Sequence, residues 1–250
     1  MRSLLATILC AAIAAPAAAA PDLSAVLAQA DAAYARRDAP GALEEVRAKL
    51  AQAEQLAPED YEVLWRLARL QFWIADDPAL SKKEKSRAGK LAWEYGDRAA
   101  RAAPDRVEGW YYGAAGVGLY ALGIGVFKAL REGIEGEFKS RLRKAEKIDP
   151  GYLSGGIQTA WGRFYFKAPW PKYDAEKSER AFRAALERNP DNVRARVFLA
   201  ELHEKEGRSA RARAELEKAL ENPPGRYDAP EERRAQGFAR EMLDRPAGDR

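Results

Sequence analysis

An all-helical stack of antiparallel helix pairs is predicted by three observations: a recurring helix ending, apolar residues spaced three and four apart between those endings, and helical spacing in every periodic segment. The ending comes five times. Pro58, Pro104, Pro150, Pro190 and Pro224 each close a run, and each has an alanine five residues upstream: Ala53, Ala99, Ala145, Ala185 and Ala219. Three residues before these alanines stand Leu50, Gly96, Leu142, Phe182 and Leu216. The small residue lets two helices approach, the bulky one fills the groove between them, and proline cannot continue the helix.

The elements follow in order. Residues 1–19 read as a secretory signal peptide: Arg2 starts it, residues 4–13 are apolar, Pro16 breaks the helix, and Ala17 with Ala19 gives small residues at a cleavage point after Ala19. The apolar run is about half of the ~20 residues that a membrane span needs, so no span is expected once the signal is cleaved. The first unit begins near Asp22 and matches the pattern least, as an N-terminal cap would. In the second unit Trp65, Ala68 and Phe72 share a face; in the third, Trp110, Ala114 and Val117 do. Trp161-Gly162 with Tyr165 opens the fourth, and Leu199-Ala200 with His203 opens the fifth. A last amphipathic helix, residues 230–243, turns Ala235, Phe238, Ala239, Met242 and Leu243 inward to cover the final pair, as end repeats require. Residues 20–244 thus form a single domain, and the tail 245–250 is expected to fray. The small–bulky–small–proline series resembles the tetratricopeptide repeat, which implies about five antiparallel helix pairs with a C-terminal capping helix.

Charge narrows the functions. The chain has 42 basic and 38 acidic side chains, net +4, with both signs mixed along the helices. That describes solvated faces rather than a nucleic-acid stripe, so neither nucleic acid nor an anionic membrane is an expected partner. Cys10 is the only cysteine and lies inside the apolar run behind Leu9, which does not suit lipidation. The mature chain then has no thiol, disulfide or thiolate metal site.

Two aromatic stretches are the candidates for binding. Residues 110–127 hold no charged side chain, and five glycines punctuate them beside Trp110, Tyr111, Tyr112, Tyr120 and Phe127. Glycine disfavours helix by about 1 kcal/mol relative to alanine, so this helix needs compensating packing. It is read either as a buried central helix whose glycines admit close neighbours, or as the wall of an aromatic-lined cavity for a small organic ligand. The second cluster is Trp161, Phe164, Tyr165, Phe166 and Trp170. Consecutive aromatics cannot share one helix face, so part of this cluster points to a surface or groove. The ligand-binding candidates are therefore Trp110, Tyr111, Tyr112, Tyr120, Trp161, Phe164, Tyr165 and Trp170. For catalysis there is little. His203 is the single histidine and holds a packing position; no nucleophile, phosphate-loop or zinc motif occurs, and no cofactor, metal or enzymatic activity is expected. Asp76-Asp77 reads as a helix end.

Between residues 61 and 224 the chain resembles the T-component (TatT) of TRAP transporters. The resemblance rests on Leu64-Trp65-Arg66-Leu67-Ala68, Gly109-Trp110-Tyr111-Tyr112, Asp149-Pro150-Gly151-Tyr152, the pair Gly155-Gly156, Trp161-Gly162-Arg163-Phe164-Tyr165 and Ala168-Pro169. It implies a periplasmic or secreted helical scaffold or solute-binding accessory subunit that docks a periplasmic substrate-binding protein and holds a small, partly apolar ligand. Many T-components are lipoproteins and carry glycines after the Ala-Pro element; here the loop reads Trp170-Pro171-Lys172-Tyr173-Asp174. The regulator of microtubule dynamics group is similar in helical layout. The alternative function is a structural protein–protein interaction module of the bacterial envelope without a small-molecule ligand.

Overall fold

The computed structural model describes residues 22–221 and 223–245. The expected signal peptide 1–19, Cys10 and tail residues 246–250 lie outside them. Among the described residues there are twelve α-helices and no strand: α1 (Leu23–Tyr34), α2 (Ala42–Leu56), α3 (Tyr61–Ala75), α4 (Lys82–Ala102), α5 (Val107–Ile124), α6 (Val126–Arg131), α7 (Ile134–Ile148), α8 (Gly156–Lys167), α9 (Ala175–Arg188), α10 (Val193–Lys205), α11 (Ser209–Glu221) and α12 (Ala229–Asp244). Helices α1/α2, α3/α4, α5/α7, α8/α9 and α10/α11 are the five expected pairs, and α12 is the cap. Residues 110–127, read as one helix, are two. Gly125, at φ +92°, ends α5 and starts the six-residue α6.

The recurring ending has one geometry. Helices α2, α4, α7 and α9 each stop two residues before their proline. The intervening residue (Ala57, Ala103, Asp149 or Asn189) lies between φ −149° and −141° in each case, with ψ between 76° and 97°. Proline's Cδ excludes the helical conformation from the residue before it, so each helix must break there. Each of these residues still donates its N–H to the carbonyl of the alanine four back, Ala53, Ala99, Ala145 or Ala185. Those alanines are fully buried. At the other ends, Asp60, Asp174, Asn192 and Asp228 cap α3, α9, α10 and α12 through their side chains, and Ser81 with Glu84 forms a capping box on α4.

Pair contacts follow side-chain size. Phe182 of α9 is fully buried against Gly162 of α8; a Cβ on that glycine would stand 2.5 Å from the ring. Ser178 beside it donates its hydroxyl to the Gly162 carbonyl at 2.9 Å. Gly155, at φ +102°, starts α8 where a Cβ would stand 2.9 Å from the Ala185 carbonyl oxygen. The closest pair is α4/α5. Gly109, Gly116 and Gly123 recur every seven residues on α5, and Gly89 and Gly96 do so on α4. A Cβ on Gly96 would stand 2.5 Å from the Gly113 Cα, and one on Gly123 would stand 2.5 Å from the Ser86 N. The two helices touch backbone to backbone, which replaces the stability that glycine withholds from an isolated helix.

Candidate functional site

The stack curls so far that its ends meet. Arg37, in the turn after α1, has a side chain only 2% exposed. Its guanidinium lies 4.2 Å from the ring centres of both Tyr34 and Trp73 and donates to both Asp228 carboxylate oxygens, at 2.8 and 2.7 Å. Arg233 of α12 binds Asp38, and Arg234 donates to the Trp73 carbonyl at 2.9 Å while lying over the Trp73 ring. Arg194 of α10, its side chain 14% exposed, joins three elements, donating to Glu231 of α12 and to Asp76 at the end of α3, each at 2.8 Å. Arg194 and Asp76 are 118 positions apart in sequence, Arg233 and Asp38 are 195 apart, and such pairs close the superhelix like a clasp.

The clasp borders a half-open chamber of about 980 Å³ on the inner face. Its floor is the inner side of α5, with Tyr111, Tyr112, Ala115, Gly118, Leu119 and Leu122. These lie three and four apart, on the face turned away from the α4 glycine seam. Phe72, Ile134, Phe138 and Phe164 extend the apolar wall. Tyr111, Tyr112 and Tyr152 pack edge to face, with centroids 5.1 to 6.5 Å apart. Burial pushes the hydroxyls of Tyr111 and Tyr112 well above the ordinary tyrosine value, so both remain neutral donors.

Charged groups also reach this space. Arg69 of α3 lies 3.9 Å from the Tyr34 ring centre and binds Asp31 at 2.5 Å, while its buried Nε has no hydrogen-bond partner. Burial pushes the Asp31 carboxyl up, but Arg66 and Arg69 outweigh it and hold the pKa below the usual carboxylate range. On α8, Arg163 pairs with Glu201, and Lys167 one turn on is held below the usual lysine range by burial and by Arg163. The chamber thus sets an apolar floor beside ion-paired arginines and Lys167, with the carboxylates of Asp31, Asp76 and Glu231 in the same lining. Among the described residues no group of three or more His, Cys, Asp or Glu side chains could hold a metal, and no helix is long and apolar enough to cross a membrane.

The eight sequence candidates divide between two sides. Tyr111, Tyr112 and Phe164 line the chamber; Trp110, Tyr120, Trp161, Tyr165 and Trp170 do not. Trp110 is half-buried and donates to the Pro104 carbonyl at 3.1 Å. Tyr120 packs on Trp93, centroids 6.0 Å apart. Trp161 donates to Glu146 at 3.2 Å and stacks on Tyr165. Trp170 is 87% exposed. The chamber residues that an aromatic search misses are Arg69, Arg163, Lys167 and Arg194. A signal for them exists. Phe72 and Asp76 follow Arg69 at three and seven residues, and Thr159, Ala160, Arg163, Phe164 and Lys167 form one stripe of α8.

Comparison with known proteins agrees with this architecture. A family model described as "Regulator of microtubule dynamics protein 1-3" matches residues 26–168, more than half of the chain, and a tetratricopeptide repeat model matches residues 174–227. No curated protein matches. Among solved structures, a thermophilic TPR protein of Thermus thermophilus superposes with a TM-score of 0.66 at 22% identity, covering 89% of this chain and 99% of that one. PilF of Pseudomonas aeruginosa superposes with a TM-score of 0.53 at 15% identity, covering 88% and 90%. At these identities the likeness concerns the fold.

Proposed function

The chain belongs to the regulator of microtubule dynamics protein 1-3 family, and from that premise we propose that it is a non-enzymatic helical-repeat scaffold whose concave chamber receives a segment of a protein partner. The chamber itself supports the reading: about 980 Å³ of space with an apolar floor and cationic side chains, where a bundle built only for packing would be filled. The repeat fold presents such inner faces to extended or helical segments. Ala115 lines the chamber floor on α5. The test is Ala115→Phe, which fills space without crossing a helix seam. Partner co-purification under mild conditions should be lost while the melting temperature stays within a few degrees. A partner retained in full would place its contact elsewhere.

A second reading is favoured by the size of the chamber, which falls in the range that drug-sized molecules occupy, roughly 300–1,000 Å³. On this reading it holds a small, partly apolar ligand. Native mass spectrometry of the purified chain should then find a bound molecule that Ala115→Phe excludes. The export signal expected in residues 1–19 and the resemblance of residues 61–224 to TRAP T-components extend the proposal to the bacterial envelope, with a periplasmic substrate-binding protein as the partner. Recovery of such a protein from the envelope supports this role; its absence at full chain recovery counts against it and leaves the scaffold reading intact.

A further inference from the structure

Apolar side chains join each helix pair to the next. Ala68 of α3, Tyr112 of α5, Phe138 of α7 and Ile157 of α8 share one buried cluster, and Phe166 of α8, Phe182 of α9 and Leu199 of α10 share another. The two ends of the stack have clusters of their own. Val26, Leu50, Leu70 and Trp73 belong to that of α1–α3, and Val197, Leu216, Ala235 and Ala239 to that of α10–α12; the two have no buried residue in common. The seam between the ends is bridged by charge instead. Arg37 reaches Asp228 and Arg233 reaches Asp38, while Arg194 and Arg234 both reach Asp76 and Arg234 lies over the Trp73 ring.

The two kinds of joint differ in what it takes to part them. Parting an apolar joint wets carbon with nothing gained in return. Parting an ionic joint returns water to both charges, and for buried pairs that hydration is about as large as the attraction lost. The seam is thus the weakest joint of the ring when its pairs part together, whereas a single substitution strands a charge. Its far side forms one piece. Phe238, Met242 and Leu243 pack α12 on the α10–α11 cluster, Gln236 of α12 donates to the Ala219 carbonyl of α11 at 3.0 Å, and Arg226 before α12 pairs with Asp191 before α10 at 3.0 Å. Seam residues of both sides also line the chamber, Arg37 and Asp76 on one and Asp228, Glu231 and Arg234 on the other.

We propose that the seam is a gate. Helices α10–α12 swing away from α1–α3 as a body, the chamber opens along that wall, and the ion pairs close it again over the guest. The movement is the same whether the guest is a protein segment or a small ligand.

The experiment places spin labels on either side of the seam, at Gln29→Cys of α1 and Arg240→Cys of α12, both exposed, in a Cys10→Ala background. A control pair, Arg143→Cys of α7 and Glu187→Cys of α9, spans the apolar joints. Pulsed electron paramagnetic resonance should give the seam pair a second, longer distance whose share grows as salt is raised to about 1 M, where the screening length is about 3 Å. The control pair should keep its distance. Asp38→Asn with Arg233→Gln removes the exposed ion pair whole and should raise the open-to-closed ratio by up to about fivefold, the worth of one such pair. Access is read separately at Ala115→Cys on the chamber floor, whose reaction with a polymer-borne maleimide should quicken by the same factor in that double variant. Neither measurement needs a bound guest, so failure of the chamber reading leaves this test standing. A seam distance indifferent to salt and to the double variant overturns the proposal. So does lengthening in both label pairs, which is general loosening. An unchanged reaction rate at Ala115→Cys while the seam distance grows also overturns it, because the chamber is then entered by another way.

Discussion

His203 is 1% exposed in α10, its Nδ1 has no hydrogen-bond partner, and burial followed by Arg208 lowers its pKa below the ordinary 6.5. A histidine with a depressed folded pKa takes up its proton more readily in the unfolded chain. The stability it lends is complete above the unfolded value and is lost as pH falls below 6.5 toward the folded one. It is the only histidine in the chain, so titration in this window can be assigned to it. The melting temperature should fall between about pH 7.5 and about pH 5.5, roughly one unit either side of the histidine reference. In His203→Leu the slope should disappear. A slope that survives in the variant would have to come from carboxylates. The spacing from Leu199 and Ala200 alone puts His203 at a packing position, and it is buried there.

At the scale of the helix pair, backbone contact sets the energetics. A Cβ added at Gly116 meets the Trp93 and Ala92 backbone of α4, which cannot swing aside as a flexible side chain does. Gly116→Ala should therefore cost about 1–3 kcal/mol despite the better helix propensity of alanine. Gly136, exposed in α7 with nothing within 4 Å, is the control. Gly136→Ala should stabilise by about 0.5–1 kcal/mol. Urea unfolding of the two variants measures both, and the same sign for both would refute the seam. The α8/α9 crossing gives a parallel expectation. Ala185 meets the Gly155 backbone with no exposed surface, so Ala185→Leu should cost about 1–3 kcal/mol in thermal melts, and a wild-type melting curve would remove Ala185 from the crossing.

The clasp belongs to the whole molecule. Without Asp228 the buried Arg37 guanidinium keeps its place between Tyr34 and Trp73 but loses its counter-charge, and breaking a buried pair costs about 3–5 kcal/mol. Asp228 is partly exposed, which puts the expected cost at the lower end of that range. Asp228 also caps α12 by accepting from the Glu231 N–H. Asn caps nearly as well as Asp, whereas alanine forfeits about a further 1 kcal/mol. Asp228→Asn should thus destabilise through the pair alone, and Asp228→Ala by more. Hydrogen exchange should show α12 opening ahead of α5 in both variants. Protection of α12 equal to wild type would show that the clasp does not hold the ring shut.

Helix pairs, endings and the cap were legible in the sequence because each depends on residues close in the chain: proline on the residue before it, a caps-and-stripe pattern on neighbours three and four away. The glycines of residues 110–127 pointed to a close neighbour, but the seven-residue recurrence of Gly109, Gly116 and Gly123 and the answering Gly89 and Gly96 identify α4 as that neighbour only once the helices are paired. Tyr111, Tyr112 and Phe164 were recognisable as candidates by their aromaticity. Their separation from Trp110, Tyr120, Trp161 and Tyr165 was not, because it depends on which side of each helix faces inward once neighbouring pairs are stacked. The tertiary structure alone decided the curvature that brings Asp228 to Arg37, and with it the chamber. Small rotations between successive pairs accumulate over five units into a closed ring, and no local spacing encodes their sum.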